Sequence, residues 1–473
     1  MTQAWAVARQ MIAEGIRMKI ALVFLVLIGM VVLGVPLSAS NDSSATDAVQ
    51  SFMSFGLIAT GVLLGMLTIF MSRSLSDELV NKQIFMVMTK PIPRWQYIFG
   101  KWLGITVLNA VFLAFAGLVI YGMVQYISRN PPKQDQSAVE REYDQRQLAN
   151  EVLVARHARQ MELPDFTRPA LAEYERNLEE GRYASLPQFD PVQEKKRLAI
   201  KYEARWRIIG PLEARDFTFE NVLCSRSREE IIQVRYKAEV SQYPPDEIFR
   251  AVWRFGDPLK GTATYTVPVR HVIDRFHTVR FPADAVAADQ TLAVTLINQN
   301  PFEGEEQYRN VLEIRSSDGL EVLFVVGSFG WNLVRLLVLM MCKLMFLAAV
   351  ALLMTTMLSF PVACLATFTI YAMAAARQFL AEALDWVGDD RGAMFSSFKN
   401  FFAQSVFYLY DMTRWILPNF GRYDAVEDLV NGRNVSLVWV LQGVTDLVLL
   451  KTTIVLAIAM LLFYRREVAE ISF

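Results

Sequence analysis

Six long apolar runs, broken once by a charged stretch, constrain this chain more than any other feature of it. They begin near Ile20, Phe52, Lys101, Trp331, Ser359 and Leu447. A helix that crosses a bilayer needs about 20 apolar residues at a rise of 1.5 Å each. The candidates are 20–36, 52–71, 101–124, 333–357, 359–376 and 447–464. The first and fifth are short. One such run could be a buried helix of a soluble core, but six together exclude a soluble protein. The expected fold is an α-helical polytopic membrane protein of six transmembrane helices. It carries an inserted extracytoplasmic α+β domain, a helical stalk followed by a β-sandwich.

The segments are expected as follows. Residues 1–127 form the first membrane part, 128–327 the insert, and 328–473 the second membrane part. Residues 73–100 are an elbow between the second and third spans, and 377–446 an external interfacial loop before the last. A formal net charge of -1 says little here, because charge is concentrated in the insert. The leader before the first run is amphipathic, with Trp5, Ala8, Met11, Ile12 and Ile16 near one face, as in a helix lying in the bilayer interface. Arg17 and Lys19 before the run and Ser38-Ala39-Ser40 after it also admit a cleaved signal peptide. The uncleaved reading is preferred.

Short loops rich in Lys and Arg stay cytoplasmic. Arg9, Arg17 and Lys19 in the leader meet that rule. So do Arg73, Lys82, Lys90, Arg94 and Lys101 in the elbow and Arg465-Arg466 in the tail. The loop 38–51 has Asp42 and Asp47 and no basic residue. Both termini are therefore expected inside, and the insert outside.

In the elbow, Leu75, Leu79, Lys82, Phe85 and Met86 have helical spacing. Asp77 and Glu78 are expected in the first turn, where the helix dipole favours acids. Pro91 and Pro93 end that helix, because proline donates no backbone N–H. Arg94-Trp95 suits a headgroup boundary. The stretch Thr89-Lys90-Pro91-Ile92-Pro93-Arg94-Trp95, followed by Gly100-Lys101, resembles the ABC-2-type transporter permeases. The nearest branch is that of the multicopper-enzyme (nitrous oxide reductase) maturation permeases. A second match is Ile416-Leu417-Pro418-Asn419-Phe420 with Tyr423-Asp424. The acidic residue that precedes Gly-Thr in many relatives is replaced here by Asp77-Glu78 ahead of Asn81-Lys82-Gln83, so either acid is a candidate for its role. The resemblance does not cover the insert.

The resemblance implies the membrane subunit of an ABC exporter. Such subunits pair, as a homodimer or with a related permease, on a separate ABC ATPase that binds ATP and Mg. Coupling would run through Asp77, Glu78, Lys82, Lys90, Pro91, Pro93 and Arg94, with the helix from Asp77 to Val87 as the receiving element. It also implies a bacterial cytoplasmic (inner) membrane and a periplasmic insert. The sequence itself contains no G-x-x-x-x-G-K-[ST] loop. Catalysis by this chain, a bound cofactor and nucleic-acid binding are not expected. The alternative is a non-transporting scaffold or force-transmitting subunit whose external domain holds an envelope protein or glycan.

The insert has two textures. Residues 136–207 are charged and read mostly as helix, including Glu140 to Arg159 and Ala170 to Glu180. From 216 to 326 the period is two: Ile232, Val234, Tyr236 and Ala238; Ala251, Trp253 and Phe255; Leu292, Val294 and Leu296; Leu312 and Ile314. The three cysteines lie far apart, and His271 and His277 make a poor metal site without further ligands. Within the spans, Lys343 is expected either to pair with Asp446 or to line the translocation path. Arg335 starts the fourth span, where its long side chain can snorkel. The aromatic stretch from Met394 to Leu417 is expected in the outer interface or as a re-entrant hairpin.

Overall fold

The structure is a computed structural model describing residues 2–17, 19, 22–30, 44–81, 92–130, 144–183, 190–241, 247–299, 311–314, 319–389 and 418–465. It divides into two compact units, Met1–Ala155 with Ser328–Phe473, and Arg156–Gly327.

The first unit is helical. It holds α1 (Thr2–Arg17), a helical stretch at 22–30, α2 (Ala45–Met71), α3 (Arg73–Val80) and α4 (Arg94–Arg129). Among the described residues five helices are long and apolar enough to cross a membrane: Ala45–Val80, Arg94–Arg129, Phe329–Met357, Phe360–Arg377 and Leu437–Arg465. Of the first apolar run, 20–36, only 22–30 is described.

The helices outrun the apolar runs because polar groups outside the runs satisfy their ends. The α2 N-terminus starts well before Phe52. Ser44 Oγ accepts from the Asp47 N–H at 3.1 Å, and the Asp144 carboxylate accepts from the Ala45 N–H and the Thr46 hydroxyl, each at 2.7 Å. The N-terminus of α4 follows directly on Pro93, whose missing N–H costs nothing where a helix's first donors have no internal partner.

In chain order the second unit holds β1 (Val154–Gln160), α5 (Thr167–Glu179), α6 (Pro191–Arg207), β2 (Ile208–Ile209), β3 (Ala214–Phe219), β4 (Ile231–Val240), β5 (Ile248–Phe255), β6 (Tyr265–Val272), β7 (Phe276–Pro282), β8 (Leu292–Asn298), β9 (Leu312–Ile314) and β10 (Leu320–Ser328). One sheet runs β1-β10-β4-β9-β2 with β7 on β4, and the other β3-β8-β5-β6. The alternation read from the sequence faces inward: Ile232, Val234, Tyr236, Ala238, Trp253, Phe255, Leu292, Val294 and Ile314 share one core. Helices α5 and α6 pack on each other through Ala170, Tyr174 and Leu198. The expected helix from Glu140 to Arg159 is not what forms. Leu148–Val152 is a single π turn, and Val154–Gln160 is an edge strand on β10.

The chain then returns to the first unit through α7 (Phe329–Met357), α8 (Phe360–Asp389) and α9 (Leu437–Arg465). The middle of α9, Val444–Thr452, is wound as a π-helix. The α8 helix continues past the expected 376. Residues 394–417 lie outside the described set. Between α8 and α9 the chain is tied to α7 and α2. Asn332 donates to Arg433 O at 2.6 Å and accepts from the Val435 N–H at 2.8 Å. Gln50 donates to Val430 O at 3.2 Å. The Arg335 guanidinium donates to Asn434 Oδ1 at 2.8 Å and to Val435 O at 3.1 Å.

Candidate functional site

The elbow is built on a close helix pair. Ala4, Val7, Ala8, Met11 and Gly15 form the buried stripe of α1, at the spacing of one helical face. Trp5 and Ile16, expected on that stripe, are exposed instead. The stripe lies on Gly100 and Gly104 of α4. A Cβ at Gly100 would stand 2.7 Å from Ala4 O and from Val7 Cβ. At Gly104 it would stand 2.7 Å from Met11 Cβ and 2.8 Å from Ala8 O. Small residues on both helices let the backbones touch, as in close-packed membrane helix pairs.

This contact places Glu14, on α1, beside Lys101, on α4. The Lys101 ammonium is buried and donates to Glu78 Oε1 at 2.9 Å and to Ser74 Oγ at 2.6 Å. Ser74 donates onward to Glu14 Oε2 at 2.6 Å, and Glu14 Oε2 lies 3.7 Å from the ammonium. The Tyr97 hydroxyl donates to the second oxygen of Glu78, and its ring stacks on Phe463 of α9 with centroids 5.9 Å apart. One lysine thus joins three helices, α1, α3 and α4. Every donor and acceptor named is satisfied, as a buried charge requires.

The two acids of the elbow have different places. Glu78 is buried in this cluster, whereas Asp77 is half-exposed and pairs with Arg73 at 3.1 Å. Neither is in the first turn of its helix: α3 starts at Arg73, because Ser72 keeps α-helical angles after α2. Glu78 is held by Lys101 and Tyr97 rather than by the helix dipole. Arg94 donates to Tyr464 O at 2.7 Å and lies over that ring, so it binds the end of α9. Pro93 precedes α4. Lys82, Lys90 and Pro91 lie outside the described residues. Glu14, Ser74 and Tyr97 were not singled out from the sequence. The one signal for Glu14 was its position on the polar side of the leader. Deeper in the unit, Asn109 donates to Thr68 Oγ1 at 2.7 Å, tying α4 to α2.

The expected pairing of Lys343 with Asp446 does not form. Lys343 on α7 meets Asp424 at 3.7 Å, and Asp446 meets Lys451 at 3.0 Å. The reason is the path of residues 420–424. The Phe420 N–H donates to Ala374 O of α8 at 3.1 Å, and its ring lies edge-on to Phe346 of α7. This brings Asp424 beside Lys343. The nearest acid to Lys451 is five residues away on its own π-wound segment.

In the second unit, His271 and His277 stack, with centroids 4.2 Å apart and planes 21° apart. They sit on β6 and β7, strands of different sheets. Tyr236 and His271 Nδ1 share a hydrogen bond of 2.7 Å, and His277 Nε2–H donates to Val272 O at 2.7 Å. Near-parallel rings do not aim two in-plane lone pairs at one ion. Among the described residues no group of three or more His, Cys, Asp and Glu is placed to hold a metal.

Burial and then the neighbouring His277 hold His271 below the usual histidine range. A base held neutral in the fold takes its proton more readily when unfolded. The unfolded chain therefore binds more protons below about pH 6.5, and stability falls as pH drops through that value. The contribution is constant above it. Hydrogen exchange of strands β6 and β7 in the full-length protein is expected to speed up from pH 7.5 to 5.5, and His271→Asn to flatten that dependence. An unchanged pH profile in the variant would show that the histidine stack does not set it.

Residues 5–139 match the family described as ABC-2 family transporter protein. No curated protein matches the chain. The matched residues contain most of α1 and all of α2 to α4, and with them Glu14, Ser74, Glu78, Tyr97 and Lys101. Over this segment, which holds the whole elbow cluster, the chain is similar to the ABC-2 family of transporter membrane proteins.

Proposed function

We propose that this chain is the membrane subunit of an ABC exporter, driven by a separate ATPase that engages α3 and the residues following it. The observation that supports this most directly is the Lys101 cluster. A short helix bearing half-exposed Asp77 on one side is bonded on the other, through Glu78, to the foot of a spanning helix. A push on α3 therefore reaches α4 through charge-assisted hydrogen bonds, and reaches α1 through Ser74 and Glu14. Basic residues in the leader, the elbow and the tail put these elements on the cytoplasmic side of a bacterial inner membrane. The insert then lies in the periplasm, and two such permeases sit on two ATPase subunits.

The test is purification of the tagged full-length chain from its native membrane. An ABC ATPase is expected to co-purify, and its turnover in liposomes to depend on the permease. Asp77→Lys is expected to weaken that association without unfolding the permease. An ATPase that co-purifies but drives no ATP-dependent movement of any cell-derived solute would favour the scaffold reading. Absence of any co-purifying ATPase would sink both the coupling and the export reading.

A further inference from the structure

Two lysines lie at the centres of two spanning helices. Lys343 is the middle residue of the 29 in α7, and Lys451 the middle residue of the 29 in α9. Each therefore has about 21 Å of helix on either side of it. Each is mostly covered, at 18% and 15% side-chain exposure, and each meets an aspartate that is more open: Asp424 at 57% and Asp446 at 31%. The Tyr423 hydroxyl donates to Asp446 at 3.3 Å. Because Tyr423 precedes Asp424, the two ion pairs form one polar layer. Its lysines stand behind and its carboxylates in front.

A charged group at mid-span is costly against acyl chains, and such groups face a bundle interior or a water-filled cavity. The open row of α2 shows the contrast. Phe55, Ile58, Val62 and Met66 are all exposed and all apolar, which suits lipid. An open carboxylate does not. The π-helix at Val444–Thr452 belongs to the same layer. It widens the turn that carries Asp446 and Lys451, and such bulges gather at functional sites.

We propose that Asp424 and Asp446, backed by Lys343 and Lys451 and linked through the buried Tyr423, line a water-filled crevice at mid-membrane through which the polar part of the cargo passes. This rests on the permease reading and names its path. The layer carries no net charge, and its open side presents acceptors. It fits a hydrated or cationic group rather than an acyl chain.

The test is thiol accessibility in the full-length protein with Cys224, Cys342 and Cys364 replaced. Single cysteines are placed at Asp424, at Asp446 and at Ile58. Ile58 is the control: it is central in α2 and 55% exposed. The probe is a charged, membrane-impermeant methanethiosulfonate, applied to reconstituted permease without any ATPase. Cysteines at 424 and 446 are expected to react at least about an order of magnitude faster than the one at 58, because only a hydrated thiol forms the reactive thiolate. Asp424→Cys leaves Lys343 without its partner, so Lys343→Met/Asp424→Cys is measured alongside it. Labelling at 424 as slow as at 58 in both backgrounds overturns the crevice. So does oxidative cross-linking between two copies of the Asp424→Cys variant without labelling, which would make this face a subunit contact. Labelling needs no ATP, so a failed crevice leaves ATPase coupling standing. Fast labelling in a protein that exports nothing would sink the transport reading alone.

Discussion

Lys101→Met is expected to be the most damaging single change in the elbow. It removes the one cation from a buried site holding Glu78 and Glu14, and leaves the Glu78 carboxylate with Tyr97 alone. Removing one partner of a buried pair costs about 3–5 kcal/mol, because the other charge stays uncompensated. Replacing both partners together costs far less, often nothing. Lys101→Met/Glu78→Gln should therefore recover most of the thermal midpoint in detergent that Lys101→Met loses. The two variants also separate stability from coupling. In the proposed complex, the double variant folds but lacks the charge-assisted link from α3 to α4, so ATP turnover continues without moving cargo. A double variant that restores both stability and transport would show that the cluster only holds the fold. A Lys101→Met protein with unchanged stability and turnover would remove the cluster from the argument altogether.

The parts of this molecule that were legible in the sequence are those set by local pattern. Apolar runs mark helices long enough to cross a membrane, because each residue in lipid answers to the same solvent. The period-two segments mark strands whose alternate residues share one core, and Ile232, Val234, Tyr236 and Ala238 are all buried as read. What stayed hidden depends on partners distant in the chain. Val154–Gln160 contains Ala, Arg and Gln, which favour helix on intrinsic grounds. It is a strand because β10, more than a hundred residues later, supplies its hydrogen bonds. Asp77 and Glu78 are equivalent by composition. Only the docking of α4 on α3 buries one and leaves the other at the surface. Lys343 was recognisable as a costly intramembrane charge. Its partner was not, because nothing local shows that residues 420–424 run alongside the middle of α7. The leader's stripe was misplaced for a similar reason. A helix lying flat in an interface buries Trp and Ile, whereas one clasped to another helix buries its smallest residues.

That last difference leads to the second large effect. Gly104→Leu is expected to release α1 from α4. The obstacles at this position are Met11 Cβ at 2.7 Å and Ala8 O at 2.8 Å, and neither is the movable end of a flexible side chain. Overpacking usually costs about 1–3 kcal/mol when neighbours can shift. Here the only shift available is of the whole helix, which exposes Val7 and Met11. Fully buried aliphatic side chains of this size are worth about 1.5–3 kcal/mol each. The release should reach the elbow, because Glu14 leaves with α1 and Ser74 loses its acceptor. Hydrogen exchange across residues 2–17 should rise to that of an unanchored helix, and a cross-link between cysteines at 7 and 100 should disappear. Gly122→Leu is the matched control, since nothing lies within 4 Å of a Cβ there. Gly15→Ala is the graded one: its nearest obstacle is the terminal methyl of Met71, which can swing aside. Gly104→Leu with normal protection of α1 would mean that the helix is held by the bilayer and not by α4. The route from the leader to the Lys101 cluster would then have to be abandoned.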